Sequence, residues 1–144
     1  MSKKLDISLG LSNEDKAINQ ISEFLNTELI KDTNTYAIHD FYNKDKSIFV
    51  ELKSRRINHN KFPTALIGEN KIRKCNKSES DYYFFWLYND GLFYLKYNKE
   101  LFDTFTIEKD YTIGLRKDVG RIEKSAVVHI PYKHLNKISN ENKI

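Results

Sequence analysis

Three features of the chain predict a mixed α/β fold. Near the start, Ala17, Ile18, Ile21, Phe24, Leu25 and Leu29 recur at the spacing of one helical face. In the middle, Tyr82-Tyr83-Phe84-Phe85-Trp86-Leu87-Tyr88 is apolar or aromatic at every position, so a strand there must be covered on both sides of its sheet. Two polar turns, Asn43-Lys44-Asp45-Lys46 and Asn89-Asp90-Gly91, each separate a pair of extended runs, which is the pattern of a β-hairpin. The 144 residues suit one compact domain over 1–144, with loose ends at about 1–10 and 139–144.

Each element has a local reason. Ser12-Asn13-Glu14-Asp15 offers a capping-box-like start with an acidic first turn that suits the helix dipole. The first helix is therefore expected from about Asn13 to Lys31, broken near Asn34. Extended runs over Thr35–Tyr42 and Ser47–Lys53 make the first hairpin. Pro63 suits the first position of a second helix, expected to reach about Lys77. The strand Asp81–Tyr88 returns through Leu92–Tyr97, and the two helices can cover its sheet. A short helix near Lys99–Phe102 precedes strands near Thr104–Ile107, Tyr111–Leu115 and Ala126–Ile130, the last ended by Pro131.

Composition narrows the function classes. The chain is 40% hydrophobic and 31% charged, and it has no apolar run long enough to span a bilayer. Met1-Ser2-Lys3-Lys4 has no signal-peptide core behind it. Cys75 is the single cysteine, which excludes an intramolecular disulfide framework and a cysteine-rich zinc site. An intracellular, reducing setting without membrane attachment is the expectation. The net charge of +4 permits a polyanionic partner without requiring one. His39, His59, His129 and His134 have no metal-ligand spacing.

Chemistry concentrates on the first hairpin. Side chains alternate along a strand, so Glu51 and Lys53 share a face and Leu52 points away. If the hairpin folds symmetrically about Lys44 and Asp45, Asp40 lies opposite Phe49 and Glu51 opposite Ile38. Asp40, Glu51 and Lys53 then share a face, with Asp40 and Glu51 diagonal neighbours roughly 7–8 Å apart between Cα atoms. A register shift of two residues would make them direct partners, and a shift of one would separate them. Strand interiors normally exclude Asp and Glu. A hard divalent cation removes the conflict, since Mg²⁺ is held by one or two carboxylates plus substrate phosphate oxygens. A neighbouring ammonium can then orient a water or balance charge growing on the phosphate.

Asp40, ten intervening residues and then Glu51-Leu52-Lys53 at the end of an apolar run resemble the core of the PD-(D/E)XK nuclease superfamily. His39 stands where the motif's proline would be. The resemblance implies a restriction-endonuclease-like core: a mixed central β-sheet flanked by helices, in α-β-β-β-α-β order, here with additional C-terminal strands. It also implies a Mg²⁺-dependent DNA endonuclease, with Mn²⁺ able to substitute. Asp40, Glu51 and the Leu52 backbone carbonyl would hold the metal, and Lys53 would position the attacking water. Glu14, in Asn13-Glu14-Asp15-Lys16, matches a first-helix ligand as in archaeal-type Holliday junction resolvases. Segments around Phe62–Lys71, Asp90–Tyr94 and Gly114–Asp118 are further similar to small nucleases of large DNA viruses and phages.

Each signal has a plainer reading. With 10 Glu and 19 Lys, about one Glu-x-Lys match is expected by chance, and Glu69-Asn70-Lys71 and Glu141-Asn142-Lys143 also match. Only Glu51-Leu52-Lys53 ends a strand that pairs with an Asp-bearing strand. The first-turn position of Glu14 is equally explained by the helix dipole. Arg55 and Arg56 leave the active strand directly and are placed for phosphate contact; Lys71, Arg73 and Lys74 on the second helix, and Arg116, are further candidates. At this size there is no room for a separate recognition domain. Cutting of branched or otherwise structured DNA, or cutting of duplex by a homodimer, therefore fits better than elaborate sequence readout. The alternative is a non-catalytic nucleic-acid-binding protein that retains the nuclease fold.

Overall fold

The computed structural model describes residues 13–33, 39–116 and 121–138, without the side chains of 113–116 and 121–124. Helix α1 spans Asn13–Leu25 and buries Ala17 and Ile21. It stops well before Lys31 because Asn26 adopts φ 56°. The Asn26 amide then donates to Glu23 O at 3.2 Å and the Thr27 amide to Ser22 O at 3.1 Å. That is a Schellman cap with asparagine in the left-handed position. The expected tail of the helix is instead strand β1, Ile30–Lys31.

Strand β1 pairs antiparallel with β2, Phe41–Tyr42, which pairs antiparallel with β3, Ile48–Ser54. The expected first strand over Thr35–Tyr42 is described only from residue 39, and 35–38 lie outside the described residues. The hairpin register is Phe41↔Val50 and Tyr42↔Phe49, two residues away from the symmetric expectation. The reason lies in Asn43. Its Oδ1 accepts from the Ile48 amide at 2.9 Å, and its Nδ2 donates to Ser47 Oγ at 3.0 Å. The Asn43 amide donates to Ile48 O at 3.1 Å, so the loop is 44–47 rather than 43–46. Lys46, at φ 59°, closes it.

Pro63 starts no helix. Strand β4 follows at Thr64–Gly68, with Ala65 and Ile67 buried at the period of two proper to a strand. Helix α2 begins only at Glu69 and ends at Asn76. Strand β5, Asp81–Tyr88, lies parallel to β3, so the β4–α2 segment forms the crossover between them. Strand β6, Gly91–Lys96, returns antiparallel, with Gly91 at φ 143° closing the turn. Helix α3, Lys99–Phe102, stands where the sequence places it. The two short strands expected over Thr104–Leu115 are one strand, β7, Thr106–Arg116. Register shifts between Glu108 and Tyr111 and between Thr112 and Gly114 absorb the polar residues that suggested a break. Strand β8, Arg121–Pro131, extends further back than expected, and β9, Asn136–Ile138, was not foreseen.

The strands form a six-stranded mixed sheet, β1-β2-β3-β5-β6-β9, and a three-stranded sheet, β4-β8-β7. One face of the large sheet packs Val50, Leu52 and Phe85 against Ala17 and Ile21 of α1. The other packs Phe84 and Trp86 against Ile67, Val128 and Ile130 of the small sheet and Cys75 of α2. Phe84, Phe85 and Trp86 are all at most 1% exposed, as the unbroken apolar run requires. Burial pushes the Cys75 thiol up to about 12, consistent with a packing role. Among the described residues no helix is long and apolar enough to cross a membrane.

Because Asn43 makes the turn, its replacement tests the register. Asn43→Ala is expected to lower stability by about 1–3 kcal/mol in urea unfolding, since two buried bonds go. A loss within about 0.5 kcal/mol would show that the register has another origin.

Candidate active site

Parallel pairing with β5 and antiparallel pairing with β2 put β3 in the sheet interior, and its odd-numbered residues share the face occupied by Phe84 and Trp86. Glu51 is therefore buried, only 4% exposed, between Phe49 and Lys53 on that face. A carboxylate so placed needs pairing. Lys53 Nζ lies 3.2 Å from Glu51 Oε2, and Lys71 Nζ, from α2, donates to Glu51 Oε1 at 3.1 Å. Each of these lysine side chains keeps about a fifth of its surface exposed.

Asp40 leaves the ladder at the start of β2. Its amide donates to Val50 O at 3.1 Å, and its Oδ2 accepts from the Leu52 amide at 3.0 Å. The carboxylate is thereby pinned to the backbone amide that follows Glu51. Leu52 carries its side chain to the opposite face, in the cluster under α1. Glu14 reaches the end of the same strand, where its Oε2 accepts from Ser54 Oγ at 3.1 Å. Among the described residues no three His, Cys, Asp or Glu side chains gather closely enough to hold a metal together, so Glu14 does not join Asp40 and Glu51 in one cluster.

The donor set nevertheless suits a hard divalent cation. Asp40 and Glu51 bring two carboxylates to strand β3, and hard cations of this kind take one or two carboxylates and keep several waters. The buried Glu51 already attracts two cationic groups to its oxygens.

The basic candidates separate. Arg55 and Arg56 are exposed just after β3, and Arg55 Nη1 donates to Ser54 O at 2.8 Å. Lys71 turns inward to Glu51, whereas Arg73 pairs with Glu69 at 2.9 Å along the surface of α2 and Lys74 is exposed. The Arg116 side chain lies outside the described residues, as does the turn expected over 117–120. Lys53, Arg55 and Lys71 border a cleft of about 720 Å³ at the C-terminal ends of β3 and β5. Open α/β sheets commonly bind ligands outside the carboxyl ends of their strands.

Sequence reasoning missed two features. His39 is 6% exposed, and its Nε2 has no hydrogen-bond partner among the described residues. Its ring packs on Tyr82 at 4.8 Å and Phe49 at 6.1 Å. Burial first, then the Lys71 and Lys74 charges, pull its pKa down to about 4. Nothing in a lone histidine before Asp40 announces this. The second is a relay in the small sheet: Thr64 Oγ1 lies 2.7 Å from His129 Nδ1, and His129 Nε2 lies 2.8 Å from Glu108 Oε1. The register Leu66↔His129 and Thr106↔His129 brings it together, and only the missed strand β4 could have revealed it.

A family model described as phage putative PDDEXK endonuclease matches residues 4–138. No curated protein matches the chain.

The state of His39 should be visible in stability. The unfolded ring titrates near 6.5 and the folded one near 4, so below pH 6.5 the unfolded chain binds more protons. Stability should fall as pH drops from 6.5 towards 4, by up to about 1.4 kcal/mol per pH unit, and that contribution should level off below. His39→Phe, which fits the aromatic surroundings, should lose less stability between pH 7 and pH 5 in urea titrations with EDTA. Parallel losses in both proteins would contradict the assignment.

Proposed function

The chain belongs to the phage PDDEXK endonuclease family, and we propose that it is a divalent-metal-dependent DNA endonuclease built on Asp40, Glu51 and Lys53. The observation that carries this reading is the buried Glu51 carboxylate, 4% exposed, with Lys53 Nζ 3.2 Å from one oxygen and Asp40 pinned across the same strand.

Asp40 and Glu51 would hold the ion, with the Leu52 carbonyl as a further ligand; Mg²⁺ is the expected ion, and Mn²⁺ a substitute. Bound there, it supplies a Lewis acid for the scissile phosphate and lowers the pKa of a water. The protein's own contribution is positional. Lys53 lies at the carboxylate and at the cleft wall together, so its ammonium can orient the attacking water and balance charge on the phosphate. Lys71 keeps Glu51 in place from the other side. Glu14 is a candidate to approach when DNA displaces its Ser54 contact. Arg55 and Arg56 meet the phosphate backbone as the strand exits. In-line attack would leave a 5′-phosphate. One site cuts one strand, so paired cuts need two protomers.

Purified wild type and Lys53→Ala are incubated with supercoiled plasmid, branched DNA and single-stranded DNA, in Mg²⁺ and in EDTA. Cleavage should require the metal and fall by about 100-fold or more in Lys53→Ala. Undiminished cutting by Lys53→Ala would refute the assignment. Absence of cutting with equal DNA binding by both proteins would identify a non-catalytic binding protein instead.

A further inference from the structure

The cleft beside Lys53 and Lys71 is more than an approach to the carboxylates. Its volume of about 720 Å³ lies within the roughly 300–1,000 Å³ of pockets that enclose small organic ligands. That is far too small for a duplex but ample for one or two nucleotides. Its lining includes the cationic Lys53, Arg55 and Lys71 and the apolar Ile57, Phe62, Pro63 and Tyr111. A ligand that suits both has an anionic end and a planar apolar end.

Phe62 is the telling wall residue. It is 56% exposed, more than any other large hydrophobic residue among those described. The loop that carries it is not loose. Arg55 N donates to Leu87 O, and Asn89 N donates to Ile57 O, both at 2.9 Å. His59 N donates to Asp90 Oδ1 at 2.9 Å, and His59 Nδ1 lies 2.7 Å from Asp90 Oδ2. The loop is thus clamped to the β5–β6 turn, holding an exposed aromatic ring at the rim of a lysine-bordered cleft. Thr64 and His129 also line the cleft, and the Glu108 contact fixes the His129 ring. With both ring nitrogens of His129 engaged, the Thr64 hydroxyl is the group that offers its remaining hydrogen-bonding capacity to the polar edge of whatever enters.

We propose that this cleft receives an unpaired nucleobase of the DNA strand whose phosphate lies at Lys53, so that the protein selects unpaired or frayed DNA over continuous duplex. The inference rests on the nuclease reading for the position of the phosphate. In a paired helix the bases are stacked inside and cannot reach Phe62. An unpaired base can stack on an aromatic surface whatever its identity. The Thr64 hydroxyl, held by His129, then meets its edge.

Fluorescence anisotropy in EDTA, with no turnover, tests this on three oligonucleotides of one sequence: single-stranded, fully paired, and paired around a short internal bubble. Wild type should bind the single strand and the bubble at least about tenfold more tightly than the paired form. Phe62→Ala should weaken binding to both unpaired forms by about fivefold or more, the scale of one lost base–aromatic stack. Its binding to paired DNA should stay within about twofold. An exposed side chain can be truncated without emptying the core, and an unchanged thermal melt would verify that. Equal wild-type affinity for all three DNAs, or equal weakening by Phe62→Ala, would overturn the proposal. The nuclease reading fails separately: if wild type cuts nothing yet shows the unpaired preference, the cleft stands and the catalytic assignment falls.

Discussion

A carboxylate buried in a sheet is the constraint around which this protein is arranged. Glu51 lies between two paired strands, 4% exposed, and desolvation would expel it if nothing met its charge. Two lysines from different elements do so, one two residues along β3 and one on the crossover helix α2. The geometry that brings Lys71 in is itself a consequence of parallel pairing between β3 and β5, because only a crossover can join parallel strands. Replacing a paired buried charge with apolar side chains is often neutral or stabilising. Stability alone therefore does not explain why a carboxylate and two ammonium groups occupy a place that leucine could fill.

The aromatic strand β5 makes this arrangement affordable in structural terms. Phe85 seals one face under α1, while Phe84 and Trp86 seal the other under the small sheet and α2. The polar cluster runs alongside that seal, Glu51 opposite Phe84 and Lys53 opposite Trp86, towards the cleft at the C-terminal ends of β3 and β5. The Glu51 carboxylate buried there is met by ammonium groups on both oxygens, and Arg55 and Arg56 leave the same end of β3 exposed.

Much of this was legible in the chain. Periodicity located the buried face of α1, the unbroken aromatic run located the central strand, and Asp40 with Glu51-Leu52-Lys53 pointed to the strand that carries the buried carboxylate. What escaped was set by side chains acting on backbone. Asn26 ends α1 by adopting a left-handed conformation, a signal present in the sequence but outweighed by Leu29 at helical spacing. Asn43 moves the hairpin loop by one residue on each strand through its own hydrogen bonds, which no count of turn residues shows. Thr64–Gly68 became a strand because Ala65 and Ile67 find Ile130 and Val128 across the small sheet, a tertiary match invisible locally. Lys71, one of several basic residues on α2, could be distinguished from Arg73 and Lys74 only by the direction in which the helix packs.

The most direct measurement is calorimetric titration of Mn²⁺ into wild type, Asp40→Asn and Glu51→Gln in the absence of DNA. Wild type should show a divalent-ion site that both substitutions abolish or weaken by about tenfold or more, the scale of one lost charged ligand. Equal binding by wild type and both variants, or no binding by any of them, would contradict a metal role for the carboxylates on which the active site depends.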